Sequence, residues 1–231
     1  MLHSKGDFLV DAKKKVVLLI LGFVLATLTA CMGGPTPEEE IYETLEEVVA
    51  LETSFKEQQN PLVELEQEEK ALYDEIISLG MKEFDKIVSL SKEALTIVEE
   101  RKLRLKKEYS SIESSKQEFN SVKETIGTLK NSNLKEDADN LVTIMENRYT
   151  SYEKLYSNYI EAISYDRELY EMFQNEELTL EALEEQIKKI NESYEKVISA
   201  NEEFNTFTEE YNKAKLAFYK NAGLEVVYNE E

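Results

Sequence analysis

Tryptophan is absent from the 231 residues, and histidine and cysteine occur once each, at His3 and Cys31. Proline is confined to Pro35, Pro37 and Pro61, and after Gly34 glycine appears only at Gly80, Gly127 and Gly223. Each scarcity excludes something. A single cysteine cannot close a disulfide within the chain, so stability has to come from packing. Beyond residue 31 there is neither histidine nor thiol. That removes Ser-His-Asp and Cys-His catalysis from the segment that follows. It also removes the ordinary zinc sets and the Glu-x-x-His pair that holds two irons in a bundle. No catalytic, metal or cofactor-binding residue is therefore expected.

Positive charge is the scarcer sign. The chain has 27 Lys and Arg against 48 Asp and Glu, a formal net charge of −21. Removing residues 1–30 takes away four Lys and two Asp, leaving 23 and 46 and a formal charge of −23. Such a chain repels nucleic acid and anionic lipid, so no nucleic-acid partner is expected. It also disfavours docking on polyanionic wall polymer unless cations bridge the contact. Solubility is the plain reading of this charge.

What is present begins at the N-terminus. Lys13, Lys14 and Lys15 precede an apolar run from Val16 to Ala26, and Leu28-Thr29-Ala30-Cys31 follows. A charged stretch, a short apolar stretch and small residues before a cut site make a secretory signal. A cysteine directly after the cut resembles a bacterial lipobox, in which the thiol is lipidated and becomes the first residue of the mature chain. Residues 16–30 are fewer than the ~20 that a membrane-spanning helix needs. Two acyl chains on a diacylglyceryl cysteine anchor stably where one is marginal. The expected divisions are a signal peptide over 1–30, a flexible tether over 31–37, a helical bundle over 38–222 and a C-terminal tail over 223–231. Asp7 and Asp11 are unusual before a signal's apolar run, which suggests initiation near Leu9 or Val10.

Beyond the tether, the 170 residues after Pro61 contain no proline. Their Glu, Lys, Leu and Ala content reads as long helices. Thr36-Pro37-Glu38-Glu39 predicts a helix start, with Thr36 as cap, Pro37 in the first turn and Glu39 closing a capping box. Asn60-Pro61 is expected to end that first helix. A second is expected from Pro61 to about Leu129, ~105 Å if unbroken, with Gly80 as a place for a kink. A third should run from Leu134 to Phe173. The fourth should start near Thr179 and stop at Gly223; Asn201, Thr208 and Lys215 interrupt its apolar stripe. Short connections imply antiparallel neighbours. The expected fold is all-α: an elongated up-and-down antiparallel bundle of about four helices with coiled-coil-like packing. The first, shorter helix is expected to hairpin with the start of the second.

Three surfaces offer themselves for binding. Tyr149, Tyr152, Tyr156 and Tyr159, with Tyr170 beyond them, recur at helical spacing. They suit either a platform for sugar rings or a bundle core whose hydroxyls reach water. Tyr165 falls off that stripe and is a candidate contact residue. Arg101, Lys102, Arg104, Lys106 and Lys107 form the one dense basic cluster. It suits a phosphate-rich polymer, a partner's acidic patch, or simply a solvated face paired with neighbouring glutamates. Glu64, Glu66, Glu68 and Glu69 read as an acid-rich turn without EF-hand spacing. Paired acids cleave glycosidic bonds only across a sugar-holding cleft.

The Leu28–Cys31 motif, the Gly/Pro tether, the Asn60-Pro61 break and the proline-free helices together resemble the YkyA-type cell-wall-binding lipoproteins of Gram-positive bacteria. The resemblance implies a helical bundle outside the cytoplasmic membrane. It further implies anchoring through diacylglyceryl, palmitate-type lipid on Cys31. A non-enzymatic role in contacting peptidoglycan or another envelope protein follows from it. The alternatives are a carboxylate-dependent cell-wall hydrolase and a regulatory partner of an envelope enzyme or transporter.

Overall fold

The computed structural model describes residues 34–79 and 83–224. Its regular elements are all α-helices: α1 (Pro37–Leu51), α2 (Thr53–Ser78), α3 (Phe84–Phe119), α4 (Val122–Ile126), α5 (Ser132–Met172) and α6 (Leu180–Asn221). The expected signal peptide, Cys31, the first part of the tether, Gly80 and residues 225–231 lie outside the described residues.

Local chemistry sets the start of α1 and both ends of α5 and α6 within two residues of where the sequence predicts them. Thr36 Oγ1 accepts from the Glu39 N–H at 3.3 Å, and the Glu39 carboxylate accepts from the Thr36 N–H at 2.8 Å. This reciprocal box satisfies two donors that a helix start leaves open. Asn131 Oδ1 does the same for α5, accepting from the N–H groups of Asn133 and Leu134. Thr179 Oγ1 accepts from the Ala182 N–H at the start of α6. Gly223 ends α6 with φ +72°, and the Leu224 N–H returns to the Tyr219 carbonyl at 3.1 Å.

Two boundaries differ from expectation. Asn60-Pro61 does not end the first helix, because Pro61 lies inside α2. Buried Phe55, Gln58, Leu62, Leu65, Glu69, Tyr73 and Ile76 recur in steps of three and four straight through it. Continuous burial on both sides outweighs the ~3 kcal/mol that proline costs a helix interior. The break falls at Glu52 instead, whose N–H bonds back to the Val49 and Ala50 carbonyls. One residue between α1 and α2 is too few for the expected hairpin. Nor is there one helix from Pro61 to Leu129: it is cut before Phe84 and again between Phe119 and Val122. α2 ends at Ser78, α3 starts at Phe84, and the chain reverses between them. Lys86 meets Glu75 and Arg104 meets Gln58, so numbers rise on α3 as they fall on α2. Folding back buries two apolar stripes against each other that a single rod would leave in water.

The chain divides into two compact units. The first comprises Ser54–Tyr109 and Tyr152–Glu202. It holds most of α2, the start of α3, the end of α5 and the start of α6. α2 and α3 are antiparallel, as are α3 and α5, where Arg167 meets Glu99 and Tyr109 stacks on Tyr156. α5 and α6 are antiparallel through Asn158 with Lys196 and Gln186 with Tyr165. The result is an up-down-up-down bundle around Leu62, Ile76, Val98, Leu105, Ile163 and Ile190.

The second unit comprises residues 34–53, Ser110–Ser151 and residues 203–224. Here α1 runs against the end of α6: Glu46 meets Lys215, and the Tyr42 and Tyr219 rings lie 4.8 Å apart. Its core includes Ile41, Leu45, Ile112, Phe119, Leu141, Met145 and Phe218.

Candidate functional site

At the centre of the first unit, a cation replaces an apolar residue. Arg101 follows Val98 by three residues and precedes Leu105 by four, so α3 turns it inward with them. Its side chain is 1% exposed. Nη1 donates to Glu69 of α2 and to Asp166 of α5, the latter at 3.1 Å. Nη2 donates to Tyr194 Oη of α6 at 2.7 Å and to Tyr159 Oη at 3.2 Å. Glu66 lies 3.7 Å away and accepts from the Tyr159 hydroxyl. Tyr170 donates to Glu69, and Tyr194 donates to Asp166. Burial works against the charge of Arg101, but Tyr194, Glu69, Glu66 and Asp166 outweigh it and hold the pKa well above the usual range.

Two turns further along α3, Glu108 is buried at 3% exposure. Gln59 Nε2 donates to it. Burial and then the neighbouring Glu66 push its carboxyl up to about 8, against the Gln59 bond. At neutral pH it therefore holds its proton.

The second unit has its own charged centre. Arg148 of α5 grips Glu52 in a fork, at 2.7 and 2.6 Å, and its Nε donates to Thr208 Oγ1 of α6. Burial opposes this charge too, and Glu52 outweighs it, raising the pKa. Ser115 Oγ bonds both Glu52 and Tyr149. Lys215, 1% exposed, meets Glu46 at 3.2 Å, and Tyr219 donates to the same carboxylate. Burial lowers the Lys215 pKa, partly countered by Glu46.

These centres rearrange the list of candidate residues. Arg101 is not on the surface: its place on the apolar stripe puts it in the core. Arg104 is half-buried and bridges Glu100 to Gln58. Lys106 and Lys107 are exposed, and Lys102 is half-buried. Tyr165 is half-buried too, packs against the core and donates to Glu161. Tyr149, Tyr152 and Tyr170 are buried, so their rings are core rather than platform; Tyr156 and Tyr159 are half-buried. The acid-rich segment at 64–69 is no turn. It is the middle of α2, with Glu69 and Glu66 directed at Arg101.

Glu69, Asp166 and Glu108 were absent from the sequence candidates as buried groups. The signal was there: each falls in phase with apolar residues on its own helix. Among the described residues no three of His, Cys, Asp or Glu are arranged to hold a metal ion. No described helix is long and apolar enough to cross a membrane.

The sequence family described as "Putative cell-wall binding lipoprotein", YkyA, matches residues 36–221. An uncharacterised lipoprotein YkyA of Bacillus subtilis (strain 168) is 41% identical over 199 residues, 86% of this chain and 89% of that protein. A conserved protein of unknown function from Staphylococcus aureus, solved by crystallography, shares the fold. It superposes with a TM-score of 0.61 at 15% identity, over 81% of this chain and 97% of that one.

Proposed function

The chain belongs to the YkyA family of lipoproteins, and on that premise we propose that it is a non-enzymatic binding module, lipid-anchored through Cys31 outside the cytoplasmic membrane. The observation that carries this reading is the family match over residues 36–221, which starts five residues after Cys31. Residues 1–30 act as the signal peptide. Residues 31–37 tether the lipid to the capping box at Thr36, where the helical part begins. The helical part supplies the surface that meets peptidoglycan or another envelope protein.

Two features support binding over chemistry. The buried acids Glu69 and Asp166 are committed to Arg101, and Glu52 is committed to Arg148. A glycosidase instead needs two carboxyls facing a sugar across a cleft.

Anchoring is tested with the full-length chain in a Gram-positive host. Labelled palmitate should enter the wild type, and the protein should sediment with membranes. Cys31→Ser should do neither; membrane retention of that variant would refute the anchor. Binding is tested on purified sacculi. Retention above an acidic helical-bundle control is expected, and its absence would turn the search to protein partners by crosslinking in intact cells. A cleared band in a peptidoglycan zymogram would overturn the non-enzymatic reading.

A further inference from the structure

Three acidic side chains are buried among the described residues: Glu69, Asp166 and Glu108. Arg101 serves the first two. Glu108 has no basic partner among the described residues; its carboxyl takes a hydrogen bond from Gln59 Nε2 on α2. The groups around it are engaged elsewhere. On α3, Arg104 is turned to Gln58 and Glu100, and Arg101 to Glu69, Asp166, Tyr159 and Tyr194. On α2, Glu66 lies two turns beyond Gln59 on the same face, and its negative charge bears on Glu108. On α5, Tyr159 donates to Glu66, and Tyr156 stacks on Tyr109. On α6, Tyr194 donates to Asp166, and the next inward positions, Val197 and Ala200, do not titrate. A carboxyl so placed stays in the core as the neutral acid, because a buried anion without a counter-charge is costly.

The part of α2 that covers Glu108 has a weak point beside it. Pro61 lies inside α2 and brings no N–H, so the Glu57 carbonyl lacks its partner in the helix ladder. Proline inside a helix is where bending concentrates. Residues 54–60 are held to the first unit by Phe55, whose ring meets Tyr152 edge-on at 5.7 Å, by Gln58, which accepts from Arg104 at 3.2 Å, and by Gln59 on Glu108. Lys56, Glu57 and Asn60 face solvent. Beyond Pro61 the helix is held more firmly, with Leu62, Leu65, Glu69, Tyr73 and Ile76 all buried.

We propose that residues 54–60 form an alkali-released flap, hinged at Pro61 and latched on α3 by the Gln59–Glu108 pair, which swings out when Glu108 gives its proton to solvent. With the flap closed, the anion would sit in the core beside Glu66. With it open, the carboxylate is hydrated and the Gln59 amide bonds to water. The hinge confines the movement to the two turns before Pro61. Arg101 and its acids lie on the far side of that hinge along α2 and keep their places. An ion-paired carboxyl would give no such response, since its charge is already matched. A rise in external pH thus uncovers Phe55 and Gln58 while the rest of the first unit stays folded.

The test is hydrogen exchange by mass spectrometry on the full-length chain, followed against pH after allowance for base-catalysed chemistry. Protection of residues 54–60 is expected to fall about tenfold per pH unit from about pH 6 to about pH 8 and then level off, as release of one proton requires. Residues 162–170 of α5 should stay protected over the same labelling times. Glu108→Gln should flatten the profile. Pro61→Ala should slow exchange of the segment at least about tenfold at each pH, because a restored ladder bond has to break with every opening. A flat wild-type profile would overturn the proposal. So would a fall that survives Glu108→Gln, an unchanged rate in Pro61→Ala, or an equal loss in residues 162–170, the mark of global unfolding. Should Glu108→Gln not fold, returning the wild type to neutral pH decides: protection regained supports the flap, and protection lost for good refutes it.

Discussion

Arg101 Nη1 on α3 lies 3.1 Å from Asp166 Oδ2 on α5, and neither side chain is more than 1% exposed. Glu69 of α2 takes the same nitrogen, and Tyr194 of α6 takes the other. One guanidinium thus joins four helices of the first unit. Guanidinium is suited to this, being planar, permanently charged and able to donate in several fixed directions.

Removing Arg101 should be severe. Arg101→Met leaves Glu69 and Asp166 buried without their cation, and stripping one partner from a buried ion pair costs ~3–5 kcal/mol. Urea unfolding of the variant should show a loss of that size. A loss below ~1 kcal/mol, the worth of an exposed pair, would refute the arrangement.

Glu108 predicts a pH dependence of definite sign. Its folded pKa of about 8 stands above the ordinary value of 4.5. Between those values the folded chain keeps a proton that the unfolded chain has released. The stability from this group is therefore greatest below pH 4.5 and is lost as pH rises towards 8. Glu108→Gln keeps the shape and the Gln59 bond but does not titrate. Wild-type stability measured against this variant should fall steadily across that window; a constant difference would contradict the buried carboxyl.

Pro61→Ala should stabilise the chain. Pro61 stands inside α2, and alanine there would restore a backbone donor to the Glu57 carbonyl. Alanine gains ~3 kcal/mol in helix propensity and forfeits ~0.4–1 kcal/mol of restriction on the unfolded chain. The melting temperature should rise. A fall would mean that Pro61 marks a helix end after all.

Gly223→Ala should weaken the end of α6. Its φ of +72° costs a residue with a Cβ ~1–2 kcal/mol. Hydrogen exchange at Leu224, whose N–H closes the cap on Tyr219, should quicken. Unchanged exchange would show that the cap does not depend on glycine.

Where the controlling groups are adjacent in the chain, the sequence was legible. Thr36 and Glu39 announce their own capping box, Thr179 announces the start of α6, and Gly223 its end. The all-α class followed from the proline-free stretch and its three-and-four spacing. The basic cluster at 101–107 was visible, but its division into buried Arg101 and outward Lys106 and Lys107 was not. Charge identifies a residue type; its side chain's direction depends on which neighbours the helix meets.

By itself, then, the sequence determined helix content and the helix ends at Thr36, Thr179 and Gly223, and it nominated Cys31 as the anchor, because each reading depends on residues a few positions apart. Only the tertiary structure decided that α2 runs through Pro61, that the chain breaks at Glu52 and reverses before Phe84. It also decided that Arg101 meets Glu69 and Asp166 inside the bundle. Those outcomes depend on burial shared between helices distant in sequence. Such burial can outweigh a local propensity of a few kcal/mol, and a charge can sit in a core only where other helices bring its partners.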